Sequence, residues 1–156
     1  MDRPTTVLVV DDEEDVVSLM RDFLEAEGYR VLAAGEGAAA LDLLRDTPVD
    51  CLLLDVMMPG QSGFDVLRKI RETSEVPVLF LSARQEDEDK IRGLGLGADD
   101  YIVKSATPGE VVARVKAVLR RTKRSEADTP ETLDFGRVVI DLRAREVLVE
   151  GVPVAL

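Results

Sequence analysis

The chain contains no histidine and no tryptophan, and only one of its 156 residues is a cysteine. Without histidine, these residues cannot build a Ser-His or Cys-His catalytic pair or a zinc site with histidine ligands. A single cysteine excludes a disulfide within the chain, and Cys51 falls in an apolar run where we expect a buried, unreactive thiol. We therefore expect carboxylates to do most of the chemical work.

Long apolar runs and excess positive charge are also missing. No segment approaches the roughly 18 apolar residues of a membrane helix, and the first residues lack the pattern of a cleaved secretory signal. The net charge of −11 at pH 7 is opposite to that of most nucleic-acid binders, which neutralise phosphates with basic side chains. We expect a cytoplasmic protein with no membrane association.

Five short runs rich in leucine and β-branched residues recur along the chain, with segments of helical apolar spacing between them. Strands that are apolar throughout are typical of a parallel sheet covered by helices on both faces. The pattern predicts an α/β fold of five βα units. The predicted strands are Val7–Val10, Arg30–Ala33, Cys51–Leu54, Val76–Leu81 and Tyr101–Val103.

Residues typical of helix ends agree with this pattern. Gly28 is placed to end the first helix, and Pro59-Gly60 turns the chain before the third. Thr107 and Pro108 have the residue types of a cap and a first helical position, so the fifth helix is predicted to begin there.

The last part of the chain breaks the pattern. Residues 123–131 are polar and lack apolar periodicity, which is typical of a linker. Residues 132–156 alternate apolar and polar side chains around turns, and predict three or four short antiparallel strands. This segment is too short for a core of its own, so residues 1–122 are the predicted domain.

Polar side chains follow four of the five predicted strands. Asp11 and Asp12 follow the first, Asp55 the third, Ser82 the fourth and Lys104 the fifth. In a flavodoxin-like sheet with strand order 2-1-3-4-5, ligands bind beyond the carboxyl ends of strands one and three. We therefore expect the three aspartates to meet there.

Three neighbouring carboxylates repel one another unless a cation or shifted pKa values relieve the repulsion. Mg²⁺ suits such a site, since it prefers oxygen ligands and binds through one or two carboxylates plus phosphate oxygens. Phosphoryl transfer also needs a nucleophile in line and positive charge on the phosphoryl oxygens. Asp55 is placed to attack, with Mg²⁺, Lys104 and Ser82 holding the oxygens.

Each residue alone has a plainer explanation. Acidic residues before a helix favour its dipole, an aspartate after a strand fits a turn, a serine can cap a helix, and a surface lysine is solvated. Capping gives no reason for four strand ends to combine three acids, a hydroxyl and an ammonium. We therefore favour the chemical explanation.

Four segments occur in the order and spacing of the bacterial response-regulator receiver domain, which residues 1 to about 122 resemble. The resemblance implies that Asp55 accepts a phosphoryl group from a sensor histidine kinase, and that Lys104 pairs with that group. It also implies a switch pair, in which Ser82 moves toward the phosphate as Tyr101 turns inward. The segments are VLVVDDE, LLLDVMMPGQSGFDVL, VLFLSAR and GADDYIVK.

The resemblance implies a metal site as well. Mg²⁺ would be bound by Asp11 or Asp12, by Asp55, and by the backbone carbonyl of Met57. The domain would catalyse its own phosphorylation and dephosphorylation, without a turnover substrate.

Two alternatives remain open. One is a magnesium-dependent phosphohydrolase with an aspartyl nucleophile, but its usual general acid/base lies two residues after the nucleophile, where this chain has Met57. The other is a receiver-like interaction module that works without phosphate.

One position departs from the family pattern. Proline usually follows the lysine, after a cis peptide bond, whereas Ser105 follows Lys104 here. A cis bond before a non-proline residue costs roughly 2.5–4 kcal/mol, so we predict a trans bond. The ammonium of Lys104 is then expected farther from Asp55 or at a different angle.

The tail resembles the opening sheet of the winged-helix output domain of the OmpR/PhoB subfamily. Its recognition helix would follow Leu156, so we expect DNA contact only through output residues outside this chain. The subfamily also implies a homodimer through the fourth helix, fifth strand and fifth helix, with ion pairs across the subunits around three apolar residues. The predicted dimer face comprises Lys90, Ile91, Leu94, Asp99, Asp100, Glu110, Val112, Arg114, Lys116 and Arg121.

Overall fold

The structure is a computed structural model that describes residues 3–83 and 87–132. The chain divides into two units, Met1–Leu119 and Arg120–Leu156. All five strands lie in the first unit. In chain order the elements are β1 (Thr6–Val10), α1 (Glu14–Glu25), β2 (Arg30–Ala34), α2 (Gly37–Asp46), β3 (Cys51–Leu54), α3 (Gly63–Arg71), β4 (Val78–Ser82), α4 (Asp87–Gly95), β5 (Asp100–Val103) and α5 (Pro108–Thr132).

The strands form one parallel sheet in the order β2-β1-β3-β4-β5. This confirms the predicted flavodoxin-like α/β fold. Every residue of β1, β3 and β4 is buried, as expected for strands covered on both faces. Strand β4 begins two residues later than predicted, at Val78, because Pro77 has no N–H to donate to a sheet ladder.

Apolar side chains pack on both faces of the sheet. On one face α1 and α5 contribute Met20, Leu24, Val111 and Val115, and on the other α2 and α3 contribute Ala40, Phe64, Leu67 and Ile70. Cys51 is fully buried in the first cluster, and burial raises the pKa of its thiol. The prediction of a buried cysteine is confirmed.

The predicted end of α1 and the predicted start of α5 are confirmed as well. Helix α1 ends before Gly28, which has a φ of 90°, a backbone conformation that glycine adopts without steric cost. Helix α5 begins at Pro108, and the Thr107 hydroxyl accepts a hydrogen bond from the backbone N–H of Glu110 at 3.2 Å.

Two predictions for the tail have different outcomes. The linker predicted at residues 123–131 is corrected, because the backbone is helical through Thr132. Lysine, arginine, glutamate and alanine are frequent there, and adding them to an existing helix needs no new nucleation. The antiparallel segment predicted at residues 132–156 lies, from residue 133 onward, outside the described residues.

Within the described ranges, no helix has both the length and the apolar character needed to cross a membrane.

Candidate functional site

Three aspartates meet at the carboxyl ends of β1 and β3. Carboxylate oxygens of Asp11, Asp12 and Asp55 all lie within 4.8 Å of one another. Asp11 and Asp55 are buried and Asp12 is exposed. The predicted convergence is therefore present, and it follows from the direct pairing of β1 with β3. Clustered carboxylate oxygens with one open side are the donors that a hard divalent cation prefers.

Lys104 reaches this cluster from the end of β5. Its Nζ lies 3.0 Å from Asp11 Oδ2 and 3.4 Å from Asp55 Oδ2. It also lies 2.8 Å from Glu13 Oε1. The Lys104 ammonium thus contacts the carboxylates of Asp11, Glu13 and Asp55.

The Lys104–Ser105 peptide bond is trans, as the serine predicts. Of the two alternatives expected from a trans bond, separation of the ammonium from Asp55 is not observed, since the two groups are in contact at 3.4 Å. A different angle of approach stays a prediction. The flexible four-carbon stem of lysine spans the distance. The backbone N–H of Lys104 is anchored to the Ser82 carbonyl at 2.7 Å.

The electrostatics of the site reflect its burial. Desolvation, and then the Asp11 charge, raise the pKa of Asp55 to about 6, although Lys104 and the backbone N–H of Met57 act in the opposite direction. Burial lowers the pKa of Lys104, but its hydrogen bonds to Glu13 and Asp11 outweigh that effect, so the pKa is raised. The lysine is therefore charged. Its contact with Asp55 does not fully offset the effect of burial and of the Asp11 charge on the pKa of Asp55.

The loop after β3 shapes the environment of Asp55. The backbone N–H of Met57 donates to Asp55 Oδ1 at 3.2 Å. The Met57 side chain is 54% exposed. Because a thioether does not titrate, this position beside Asp55 carries no acid/base group. Gly63 closes the loop, and its N–H donates to the Val56 carbonyl at 2.8 Å.

Ser82 and Tyr101 lie on adjacent strands. Ser82 is buried and ends β4, which lies between the strand before Asp55 and the strand before Lys104. Tyr101 is buried, with its ring centroid 5.9 Å from that of Phe80. In this structure the tyrosine therefore occupies the inward position. Whether the two residues act as a switch pair stays a prediction.

Two residues that matter to the site were not predicted. Glu13 contacts Lys104 although ninety-one positions separate them in the chain. Gly63 packs closely against Asp55, since a Cβ on it would lie 2.2 Å from the Asp55 backbone oxygen. The only sequence signals were an acid at the start of a helix and a glycine after a turn, and both have commoner explanations.

The apolar part of the predicted dimer face is partly corrected. Ile91 and Leu94 are 71% and 48% exposed on α4. Val112 is only 7% exposed, and it packs in the core against the sheet. It therefore cannot contribute to an exposed apolar surface.

Most of the predicted charged residues of that face have partners within the chain. Arg114 pairs with Asp100 at 3.1 Å and with Glu110 at 2.9 Å. Lys116 pairs with Glu27 at 2.6 Å. These three ion pairs lie within the chain, and ion pairs across subunits stay a prediction. Asp99 lies 3.7 Å from Arg71. The other predicted members are Lys90, which is partly buried, and Arg121, which is exposed.

Sequence comparison places these features in a known family. Residues 7–116 match the family described as the response regulator receiver domain. The transcriptional regulatory protein CpxR of Escherichia coli K12 is 42% identical over 150 residues, which cover 93% of this chain and 64% of CpxR. The probable transcriptional regulatory protein TcrX of Mycobacterium tuberculosis is 43% identical over 155 residues, covering 99% of this chain and 66% of TcrX. The chain thus spans less than two thirds of the length of either relative.

Solved structures agree with this assignment. The receiver domain of the Francisella response regulator 1452 superposes with a TM-score of 0.72 at 34% identity, covering 77% of this chain and 99% of that domain. The beryllofluoride-activated N-terminal receiver domain of Klebsiella pneumoniae RstA gives a TM-score of 0.70 at 31% identity, covering 74% and 99%. Receiver domains bind Mg²⁺ at an acidic pocket and interact with histidine kinases, and response regulators are signalling proteins rather than metabolic enzymes. By sequence and by fold, this chain belongs to the response regulator receiver domain family.

Proposed function

We propose that Asp55 is the phosphoacceptor of a two-component signalling switch. The observation that carries the proposal is the contact of a buried Asp55 with the Lys104 ammonium, inside a cluster that also holds Asp11 and Asp12. The donor would be the phosphohistidine of a sensor histidine kinase. In the cytoplasm, the phosphorylation state of Asp55 would then report the activity of that kinase.

The transfer step is a displacement at phosphorus. A carboxylate oxygen of Asp55 forms a bond to the phosphorus atom while the P–N bond of the phosphohistidine breaks. The electron pair of that bond stays on the imidazole nitrogen, which takes up a proton from solvent where the imidazole would otherwise leave as an anion. Hydrolysis later returns the carboxylate when water attacks the phosphorus and inorganic phosphate leaves.

The residues around Asp55 have separate roles in this proposal. Asp11, Asp12 and Asp55, with the backbone carbonyl of Met57, would bind Mg²⁺, which neutralises charge on the phosphoryl oxygens. Lys104 would contact a phosphoryl oxygen. The three clustered carboxylates support this assignment, because they concentrate negative charge that, among the described residues, the Lys104 ammonium alone offsets.

Phosphorylation would be transmitted through Ser82 and Tyr101 to the surface formed by α4, β5 and α5. The exposed Ile91 and Leu94 support a homodimer through that surface. In the full-length protein the output would be regulation of transcription, through a winged-helix domain that contacts DNA. CpxR and TcrX, which are named as transcriptional regulators, support this part of the proposal.

A phosphohydrolase receives no support from the site. Such an enzyme needs a proton donor for the leaving group, and Met57 occupies the position where that donor is expected. Measurable turnover of a small phosphate ester by the pure protein would contradict the proposed function.

The direct test is phosphorylation by phosphoramidate with Mg²⁺, followed by intact-mass measurement. Wild type is expected to gain one phosphoryl group, and Asp55→Asn to gain none. Asp22→Asn, which removes an exposed aspartate of α1, is the matched control and should be phosphorylated like wild type. Equal labelling of Asp55→Asn would show that the acceptor lies elsewhere.

A further inference from the structure

Glu13 lies closer to the ammonium of Lys104 than either aspartate does. The distance from Nζ is 2.8 Å to Glu13 Oε1, against 3.0 Å to Asp11 Oδ2 and 3.4 Å to Asp55 Oδ2. Asp11 and Asp55 are buried, whereas the Glu13 side chain is 60% exposed. The shortest contact of a lysine proposed to act at the buried acceptor is therefore made at the rim of the site.

The geometry leaves the ammonium no unused donor. An ammonium has three N–H groups, and three carboxylates surround Nζ. A phosphoryl oxygen on Asp55 can gain a hydrogen bond from Lys104 only if one of these contacts is given up. The Glu13 contact is the least costly to lose, because water can solvate an exposed carboxylate, whereas a buried carboxylate left without a partner is strongly disfavoured.

The backbone holds Glu13 in place. Its N–H donates to Asp11 Oδ1 at 2.9 Å, and the residue precedes the first turn of α1. The backbone of Glu13 is thus held where β1 ends, and from there its side chain contacts Lys104 at 2.8 Å. A carboxylate at this position attracts the ammonium toward the rim of the site, in competition with Asp55.

We propose that Glu13 is a positioning residue that restrains Lys104 before phosphorylation and releases it when Asp55 carries a phosphoryl group. The inference rests on the proposed function, since that function supplies the phosphoryl oxygen to which Lys104 transfers. Glu13 itself does not contact the reacting atoms. Its role is to compete with the phosphoryl oxygen for the same ammonium.

The test compares Glu13→Gln with Glu14→Gln. Both variants remove one exposed negative charge at the start of α1, but only Glu13 contacts Lys104. With phosphoramidate and Mg²⁺, Glu13→Gln is expected to be phosphorylated about two- to fivefold faster than wild type, the range set by losing one exposed ion pair. Glu14→Gln should match wild type. An equal acceleration in both variants would reduce the effect to general electrostatics and overturn the inference.

A second background isolates the lysine. In Lys104→Met, replacing Glu13 with glutamine is expected to change the phosphorylation rate no further, since the two substitutions remove the same interaction. If Glu13→Gln accelerates the reaction equally with and without Lys104, the glutamate does not act through the lysine.

Labelling of Lys104 by an amine-reactive ester, measured on its peptide by mass spectrometry, separates this inference from the proposed function. Glu13→Gln should label faster than wild type and Glu14→Gln should not. If wild type is not phosphorylated yet Glu13→Gln labels faster, the proposed function fails while the restraint stands. If wild type is phosphorylated and Glu13→Gln changes neither labelling nor rate, the restraint is refuted while the proposed function stands.

Discussion

Gly63 offers the sharpest test of how the loop after β3 positions Asp55. A Cβ at this position would lie 2.2 Å from the Asp55 backbone oxygen and 2.9 Å from the Val56 Cα. An ordinary contact between carbon and oxygen needs about 3.3 Å. Gly63→Ala must therefore separate the start of α3 from the end of β3 by about 1 Å. Because backbone lies on both sides of the contact, no side-chain rotation can relieve it.

The expected effects are on both stability and rate. Overpacking of this kind costs about 1–3 kcal/mol, and reduced freedom of the unfolded chain returns roughly 0.4–1 kcal/mol. We expect a net loss of about 1–2 kcal/mol in the free energy of unfolding. A displacement of about 1 Å near reacting groups can slow a reaction by about 100-fold, so phosphorylation by phosphoramidate should slow by one to two orders of magnitude.

Gly109→Ala is the matched control. Gly109 also lies in the first turn of a helix, but a Cβ there would meet no atom within 4 Å. The control should keep the wild-type phosphorylation rate, with unchanged or slightly higher stability. Urea unfolding followed by circular dichroism gives the stability, and intact mass against time gives the rate. A Gly63→Ala protein that matches the control in both measurements would refute the argument that Gly63 sets the position of Asp55.

Three further predictions concern the start of α3 and the predicted dimer face. The Ser62 side chain accepts from the Asp65 N–H at 3.2 Å in a reciprocal capping box, so Ser62→Ala should lower the free energy of unfolding by about 0.5–2 kcal/mol in urea titrations. The hydrogen bond from the backbone N–H of Ser62 lowers the pKa of Asp65. The Asp65 carboxylate therefore stabilises the fold above its unfolded pKa, and this stabilisation is lost as pH falls through its folded pKa. The loss of unfolding free energy caused by Asp65→Asn should accordingly shrink in acid, and a loss that stays constant with pH would contradict this. Beryllofluoride with Mg²⁺ should strengthen dimerisation in sedimentation experiments, and Ile91→Asp should abolish the gain because Ile91 is largely exposed. If the sedimentation mass of wild type does not change on adding beryllofluoride, dimerisation through that surface is contradicted.

The fold and the acidic cluster were accessible from sequence because both depend on strand periodicity. Strand β1 from Val7 onward and all of β3 are apolar, and the polar residue that follows each strand marks where the buried sheet ends. Topology then brings Asp11 and Asp55 together, because β1 and β3 pair directly with Val10 beside Leu54. An error of one or two residues at a strand start, as at β4, leaves these carboxyl ends unchanged.

The contacts made by loops were not accessible in the same way. Glu13 meets Lys104 because the lysine side chain extends from the end of β5 to the residues after β1, and no local sequence pattern indicates that contact. The close approach of Gly63 to Asp55 likewise depends on how tightly the loop between them closes. The helix through residues 123–131 shows a related difficulty, since a polar composition suits both an exposed helix and a linker.

The predicted dimer face shows why surfaces are harder to infer from sequence than sites at the ends of strands. Helical spacing in α5 places Val111, Val112, Val115 and Val118 along one side, but the spacing alone does not say how wide a strip the sheet covers. The sheet covers all four of these valines. On α4 the reverse holds, because Ile91 and Leu94 stay exposed where an apolar pattern would suggest burial. Substitutions at Ile91 and Leu94 therefore test dimerisation, whereas a substitution at Val112 would chiefly test the stability of the core.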